Sequence, residues 1–286
     1  MYNKLVFVNH FGAGDIFESR EFVKHICEQV QAKEYCYSHG KDHRILLDMP
    51  FLTQEDETVK WYNIRTPILE KDGNLYVNTW IGIDGRYVLP GIGCTVEMLH
   101  KMYKDYGFTL RDDIYSYIPR VDWSVYDTEI INSHLKQYSE GLNVLISNGP
   151  VNSSQAENFD FYPVITKLAK KYSEVEFYTT SGYSQYQGLP NIHNVNDIVK
   201  DKFNLNEIGY LSKFCGIIVG RCSGPSVFAE HYENWMDGTK IALGFTYTYQ
   251  GSHFVLSNHL PMDRQWSQET SEIGVYARIS EAINEW

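Results

Sequence analysis

The chain has 286 residues, 43% of them hydrophobic and 21% charged, with a formal net charge of −11. That length suits one large or two medium domains, and the apolar share is ample for a core. The negative balance argues against general affinity for nucleic acid or an anionic membrane, while leaving room for a local basic pocket.

The cysteines are Cys27, Cys36, Cys94, Cys215 and Cys222, scattered and without a CxxC. Neither a zinc site nor a disulfide framework is indicated, and a reducing compartment fits better. The first apolar run is too short for a signal peptide. No stretch approaches the roughly 20 residues that span a bilayer. The expectation is a cytoplasmic protein without a transmembrane segment. The many tyrosines and tryptophans are read first as core.

In chain order, residues 4–9 (KLVFVN) form an apolar, β-rich run that predicts a central strand. It meets His10, Gly12, Gly14 and Asp15. Phe22, Val23, Ile26 and Val30 then recur at helical spacing, which predicts a helix over 16–31. The dinucleotide fingerprint GxGxxG does not complete, because position 17 is Phe. What remains is a glycine-permitted turn that puts Asp15 at the top of a sheet, where it also suits a helix cap. Residues 74–83 read as a strand and its exit, 85–93 as a loop and 95–106 as a helix. Residues 115–123 have no clear period and lead into a boundary.

A helix is predicted at 127–138, and a second alternation then begins. Strands are predicted at 143–147, 175–179, 192–195, 216–220 and 240–245. Helices are predicted at 161–172, 205–214 and 271–286. Asn148, Gly149, Ser153 and Ser154 form a polar loop after the first of these strands. Repeated strand–helix alternation makes this an α/β protein with parallel sheets.

The stretch 211–230 (LSKFCGIIVGRCSGPSVFAE) carries the strongest local pattern. Ile217, Ile218 and Val219 suit a strand covered on both faces. Gly224 permits a tight turn and Pro225 fits a first helical position. The N–H groups that follow, with Ser223 and Ser226, make a place for phosphate at the carboxyl end of a strand. Arg221 can add positive charge there, although an ordinary salt bridge explains it as well. His10 is a plausible proton carrier beside Asp15. Glu230 is about a turn from Ser226. It is within reach of a ribose, though an exposed helix carboxylate is the plainer reading. In open α/β sheets ligands gather beyond the carboxyl ends of the strands. Two such halves facing across a cleft would set a carboxylate against backbone donors and hydroxyls, which suits sugar transfer from a nucleotide sugar.

At Gly14-Asp15 and Ser223-Gly224-Pro225-Ser226 the chain resembles bacterial glycosyltransferases of the heptosyltransferase type, family nine, with the GT-B fold. The resemblance implies two Rossmann-like domains with parallel sheets facing a central cleft. It divides the chain into residues 1–125, which bind acceptor, residues 126–270, which bind the nucleotide sugar, and a closing helix, 271–286, packed back towards the first domain. It implies inverting transfer to a glycan or lipid-linked glycan, as in polysaccharide biosynthesis, with no metal and no cofactor. Asp15 is the implied base with His10 beside it, and Gly12 and Gly14 border the acceptor. Arg221, Ser223, Gly224, Pro225, Ser226, Asn148 and Gly149 border the donor. Two positions depart from the pattern. Val227 stands where the family usually has His, and residues 148–158 lack its diphosphate-binding Lys or Arg. A sugar-nucleotide epimerase or hydrolase of related fold is an alternative, as is a non-catalytic nucleotide- or carbohydrate-binding protein.

Overall fold

The computed structural model describes residues 1–10, 12–55, 68–79, 104, 107–138, 141–152, 156–182, 186, 188–201, 204–221, 223–245 and 260–286. The expected loop at 85–93, nearly all of the helix at 95–106, the strand exit after 79, Ser153, Ser154, Cys94 and Cys222 lie outside them. The chain divides into two compact units, Met1–Val125 and Tyr126–Trp286.

The first unit holds a five-stranded sheet in the order β3-β2-β1-β5-β4. Its strands are β1 (Tyr2–Val8), β2 (Ala32–Ser38), β3 (Leu52–Glu55), β4 (Ile68–Lys71) and β5 (Asn74–Asn78). All pairings are parallel except that of β4 with β5. Those two strands form a hairpin closed by Asp72 and Gly73, both at positive φ (52° and 75°). Asp-Gly is the dipeptide that such a two-residue turn favours. β1 is central and its Leu5, Val6, Phe7 and Val8 are buried. The single helix expected at 16–31 is two, α1 (Ala13–Glu18) and α2 (Arg20–Gln29). The break is at Ser19, whose hydroxyl donates to the Ile16 carbonyl (2.9 Å) and also meets Tyr37 Oη (2.8 Å). A hydroxyl bonded back to the preceding turn bends a helix. α2 buries Phe22, Val23 and Ile26, with Phe22 stacked on Tyr117 at 4.0 Å between ring centroids.

The second unit holds a six-stranded sheet in the order β11-β10-β9-β6-β7-β8. Its strands are β6 (Asn143–Ser147), β7 (Glu176–Thr179), β8 (Ile192–Asn194), β9 (Ile217–Gly220), β10 (Ile241–Phe245) and β11 (Asp263–Ser267), all paired in parallel. The helices are α3 (Glu129–Tyr138), α4 (Tyr162–Lys171), α5 (Val195–Val199), α6 (Leu205–Ser212), α7 (Gly224–Phe228), α8 (Tyr232–Trp235) and α9 (Glu272–Glu285). Alternate residues of each central strand serve opposite faces. Val144, Ile146, Ile217 and Val219 pack with Val164, Ile165 and Leu168 of α4 and Val275, Ile279 and Ala282 of α9. Leu145 and Ile218 pack on the other face with Ile131 and Leu135 of α3 and Ile208 and Leu211 of α6. Each such side chain contributes roughly 1.5–3 kcal/mol on burial, which is why β6 and β9 read as unbroken apolar runs.

The apolar face of the C-terminal helix α9 lies in the core of the second unit. Tyr172 Oη donates to Asn284 Oδ1 of that helix (3.2 Å), and Lys167 pairs with Glu272. Three Cys (27, 36 and 215) are free thiols. No helix among the described residues is long and apolar enough to cross a membrane.

Candidate functional site

In both sheets the strand order reverses at the strands that carry the sequence motifs. β1 has β2 on one side and β5 on the other, and β6 and β9 are neighbours from which the chain winds out in opposite directions. A crevice forms at the carboxyl ends of strands at such a reversal, and ligands of open α/β sheets bind there.

In the first unit the strand ends are tied together where the loop begins. Asn9 N–H donates to Ser38 O (3.1 Å) and Thr79 N–H to Val8 O (3.1 Å). Asp15 sits at the third position of α1, and its Oδ2 accepts the Gly12 N–H at 3.0 Å. A Cβ on Gly12 would lie 2.5 Å from that oxygen, so glycine is what lets the carboxylate fold back. Gly14 is buried in the same turn. Burial raises the Asp15 carboxyl above its ordinary value, against the pull of the Gly12 N–H and of Lys41. That direction makes it a stronger base than a surface carboxylate.

His10 Nε2 lies 3.1 Å from Ser38 Oγ. Beyond it, His39 Nε2 meets His43 Nδ1 at 3.2 Å with the rings stacked. Burial, then His43 and His10, bring His39 down to about 4. Beneath them the buried Tyr37 Oη bridges Ser19 Oγ (2.8 Å) and Thr79 Oγ1 (2.6 Å).

His39 gives a signed prediction. In the folded chain it stays neutral down to about pH 4, whereas its ordinary value is 6.5. Between those values the unfolded chain binds the extra proton, so stability present above pH 6.5 is lost as pH falls towards 4. Urea melts followed across that range should show the loss, and His39→Gln should flatten it. An unchanged acid slope in the variant would refute this.

In the second unit Asn148, Gly149, Arg221 and the turn at Ser223–Ser226 come together at the carboxyl ends of β6 and β9. Asn148 exchanges two 2.8 Å hydrogen bonds with the backbone of Ser181 and so fixes the loop after β6. Arg221 is buried. Its Nη1 donates to the carbonyls of Glu157 (3.2 Å) and Phe159 (3.0 Å), and its Nη2 to Asn148 O (2.9 Å). The guanidinium also lies 4.9 and 4.8 Å from the ring centroids of Phe159 and Phe161. The loop at 148–158 has no basic residue of its own, yet a cation reaches it from the end of β9. Ser223 N–H donates to Ser226 Oγ (3.0 Å), and the Ser226 hydroxyl reaches Ser223 O (2.8 Å). Pro225 occupies the first turn of α7. Val227 is buried, so the position where the family has His belongs to the core.

Nothing in the sequence pattern singles out β11, which carries Arg264 and Trp266. The Arg264 guanidinium sits 3.4 Å from a Trp235 ring centroid and 4.0 Å from Glu230 Oε2. The Trp266 ring covers Gly244 so closely that a Cβ there would overlap it. Glu230 is thereby largely buried beside an arginine, where an exposed helix carboxylate was the plainer expectation. A cavity of about 30 Å³ opens among Gly220, Arg221, Ser226, Glu230, Arg264 and Trp266. The signal in DRQWS is only that Asp263, Gln265 and Ser267 alternate with the larger Arg264 and Trp266, too polar to read as a strand.

No family profile matches the chain, and no curated protein does. Solved structures match along nearly its full length. The E. coli ADP-heptose lps heptosyltransferase II is 13% identical with a TM-score of 0.58, covering 99% of both chains. The glycosyl transferase family 9 protein of Veillonella parvula DSM 2008 is 12% identical with a TM-score of 0.53, covering 97% of this chain and 89% of that one. The chain shares the GT-B fold of these glycosyltransferases. S. aureus MnaA, solved with UDP, shares it at 10% identity and a TM-score of 0.54, covering 98% of this chain and 88% of that one. In this GT-B chain both motifs follow central strands, each at the reversal of its own sheet.

Proposed function

We propose that the protein is an inverting glycosyltransferase that moves a sugar from a nucleotide-sugar donor to a hydroxyl of a glycan or other acceptor. The observation that carries this reading is the placement of Asp15 and of Ser223–Ser226. Each follows a central strand at a strand-order reversal, in a chain with the GT-B fold over its whole length. The acceptor, bordered by Gly12, Gly14 and His10, gives its hydroxyl proton to the Asp15 carboxylate. The freed oxygen bonds to the anomeric carbon as the bond to the diphosphate breaks, and the nucleoside diphosphate leaves.

The departing charge is held by first-turn N–H groups of α7 and by the Ser223 hydroxyl. Buried Arg221 lends that end of the sheet positive potential in a chain of net charge −11. Arg221 acts through the loop it holds, because its donors are engaged by carbonyls.

Incubation with a panel of nucleotide sugars tests the proposal. Nucleotide release that rises when acceptor glycans are added supports it, and no release from any donor refutes it. Gly224→Val tests the donor grip. A Cβ at 224 meets only Leu205 methyls at 3.8 and 3.9 Å, so the variant should fold. A side chain there blocks close approach of the diphosphate, and losing one charge-assisted hydrogen bond weakens binding about 10- to 100-fold. Unchanged affinity by calorimetry for the nucleotide that the wild type releases would show that the diphosphate binds elsewhere.

A further inference from the structure

A second opening lies at the other end of the second sheet. It is a groove of about 680 Å³ at the amino ends of β6 and β7, between the ends of α3 and α9. That volume falls in the range of small-molecule sites, whereas the cavity beside Arg264 is about 30 Å³. β9 separates the two ends by its four residues, roughly 13 Å of strand, so both can be occupied at once.

Three aromatic rings line the groove, those of Tyr138, Tyr172 and Trp286. Trp286 is 55% exposed and Tyr138 37%, whereas Tyr172 is buried. They are nevertheless held in place. The Trp286 indole lies against Gly216, where a Cβ would come within 2.3 Å of Nε1. The Tyr138 ring packs on His193 (4.5 Å between centroids). The Tyr172 hydroxyl donates to Asn284 Oδ1 (3.2 Å), which leaves the Asn284 amide N–H groups as donors to a ligand. Gln137, Asn284 and Glu174 supply hydrogen-bonding groups along the same walls. Glu176 is engaged with His193 (2.6 Å) and Lys136 adds a positive charge, so the lining is not an acidic trap for a cation.

Fixed aromatic faces beside side-chain amides and a carboxylate match one ligand chemistry. A pyranose ring offers flat C–H faces that lie on aromatic rings, with hydroxyls around its edge for amides and carboxylates. We infer that this groove is a saccharide-binding site, distinct from the donor turn, that holds a glycan chain on the far end of the sheet. It does not depend on the transfer reaction proposed above.

The test uses the ¹⁵N-labelled full chain and its tryptophan indole resonances, with Trp286 assigned from a Trp286→Phe variant. The probes are hexasaccharides of β-1,4-glucose, α-1,4-glucose and β-1,4-N-acetylglucosamine, with pentalysine as the cationic comparison. The expected result is a saturable shift of the Trp286 resonance by at least one hexasaccharide. Measured by calorimetry, affinity for that sugar should fall about tenfold in Trp286→Ala, the loss of one stacked ring. Gln137→Ala, on the exposed end of α3, should also weaken it while leaving melting temperature and nucleotide affinity unchanged. The inference is overturned if no hexasaccharide moves Trp286, if binding persists undiminished in both variants, or if only pentalysine moves the resonance. Nucleotide binding at the donor turn is read on the same samples, so failure of one site is separable from failure of the other.

Discussion

Asp15→Asn is expected to leave a folded protein that binds donor and turns over about 10²- to 10⁴-fold more slowly, the usual size of a lost general base. The amide keeps the shape of the carboxyl and an oxygen to accept the Gly12 N–H, now at 3.0 Å from Oδ2. Loss of a cap altogether would cost only about 1 kcal/mol, so stability cannot account for a hundredfold change in rate. Melting temperature and turnover measured on one preparation separate the effects. Wild-type turnover in a well-folded variant would remove Asp15 from the chemistry. An earlier melt with a fully active folded fraction would leave it only the capping role. The pH profile gives a second reading. Burial raises this carboxyl, so the acid limb of wild-type activity should fall at a higher pH than an ordinary carboxylate allows. The base works ionised, so activity rises with pH through that limb.

Arg221→Ala is expected to destabilise the second unit by on the order of 3–4 kcal/mol and to weaken nucleotide binding more than tenfold. Three carbonyls lose a charged donor and two phenylalanine rings lose a covering group. Each charge-assisted bond has a net worth of about 1.5–3 kcal/mol, but bonds sharing one guanidinium do not add fully. Arg221→Lys should recover little. An ammonium is one point of charge and cannot span acceptors that the planar fork reaches together. Urea melts followed by a probe in each unit are the measurement, because two units need not unfold as one. A second unit that melts as the wild type does would show that the loop at 148–159 does not depend on this arginine. Retained nucleotide affinity would separate the arginine from the donor site.

The central strands and their turns are legible in the sequence for a definite reason. β1, β6 and β9 are covered on both faces, so burial demands an unbroken apolar run, and such a run is visible without knowing its neighbours. Gly12 is legible because a Cβ there would meet the Asp15 carboxylate, whereas the turn at Gly224 shows itself through the Gly-Pro pair that opens α7. α4 and α9 show their faces through apolar spacing alone. Strands with polar stretches give no such signal. β2 buries only its second half, from Cys36, and β11 reads DRQWS. Their strand character comes from pairing with a neighbour already in place. The hairpin at Asp72-Gly73 is the exception, an edge element with a local turn signal.

What the sequence by itself determined is an α/β chain in two series, with a carboxylate at the end of one central strand and a serine–glycine–proline turn at the end of another. Those features rest on local chemistry: backbone freedom, capping and apolar periodicity. The tertiary structure alone decided where the long polar side chains go. Arg221 reads in sequence as a cation for the diphosphate or as an ordinary salt bridge, and in the fold its guanidinium is held by the carbonyls of a loop more than sixty positions away. Arg264 and Glu230 meet only because β11 pairs beside β10. His39 loses its proton affinity because folding buries it against His43 and His10. The rings around Trp286 make a groove only when the ends of α3 and α9 lie together at the sheet edge. A side chain with several rotatable bonds and a polar tip takes its partner from whatever folding brings near, and that partner is non-local.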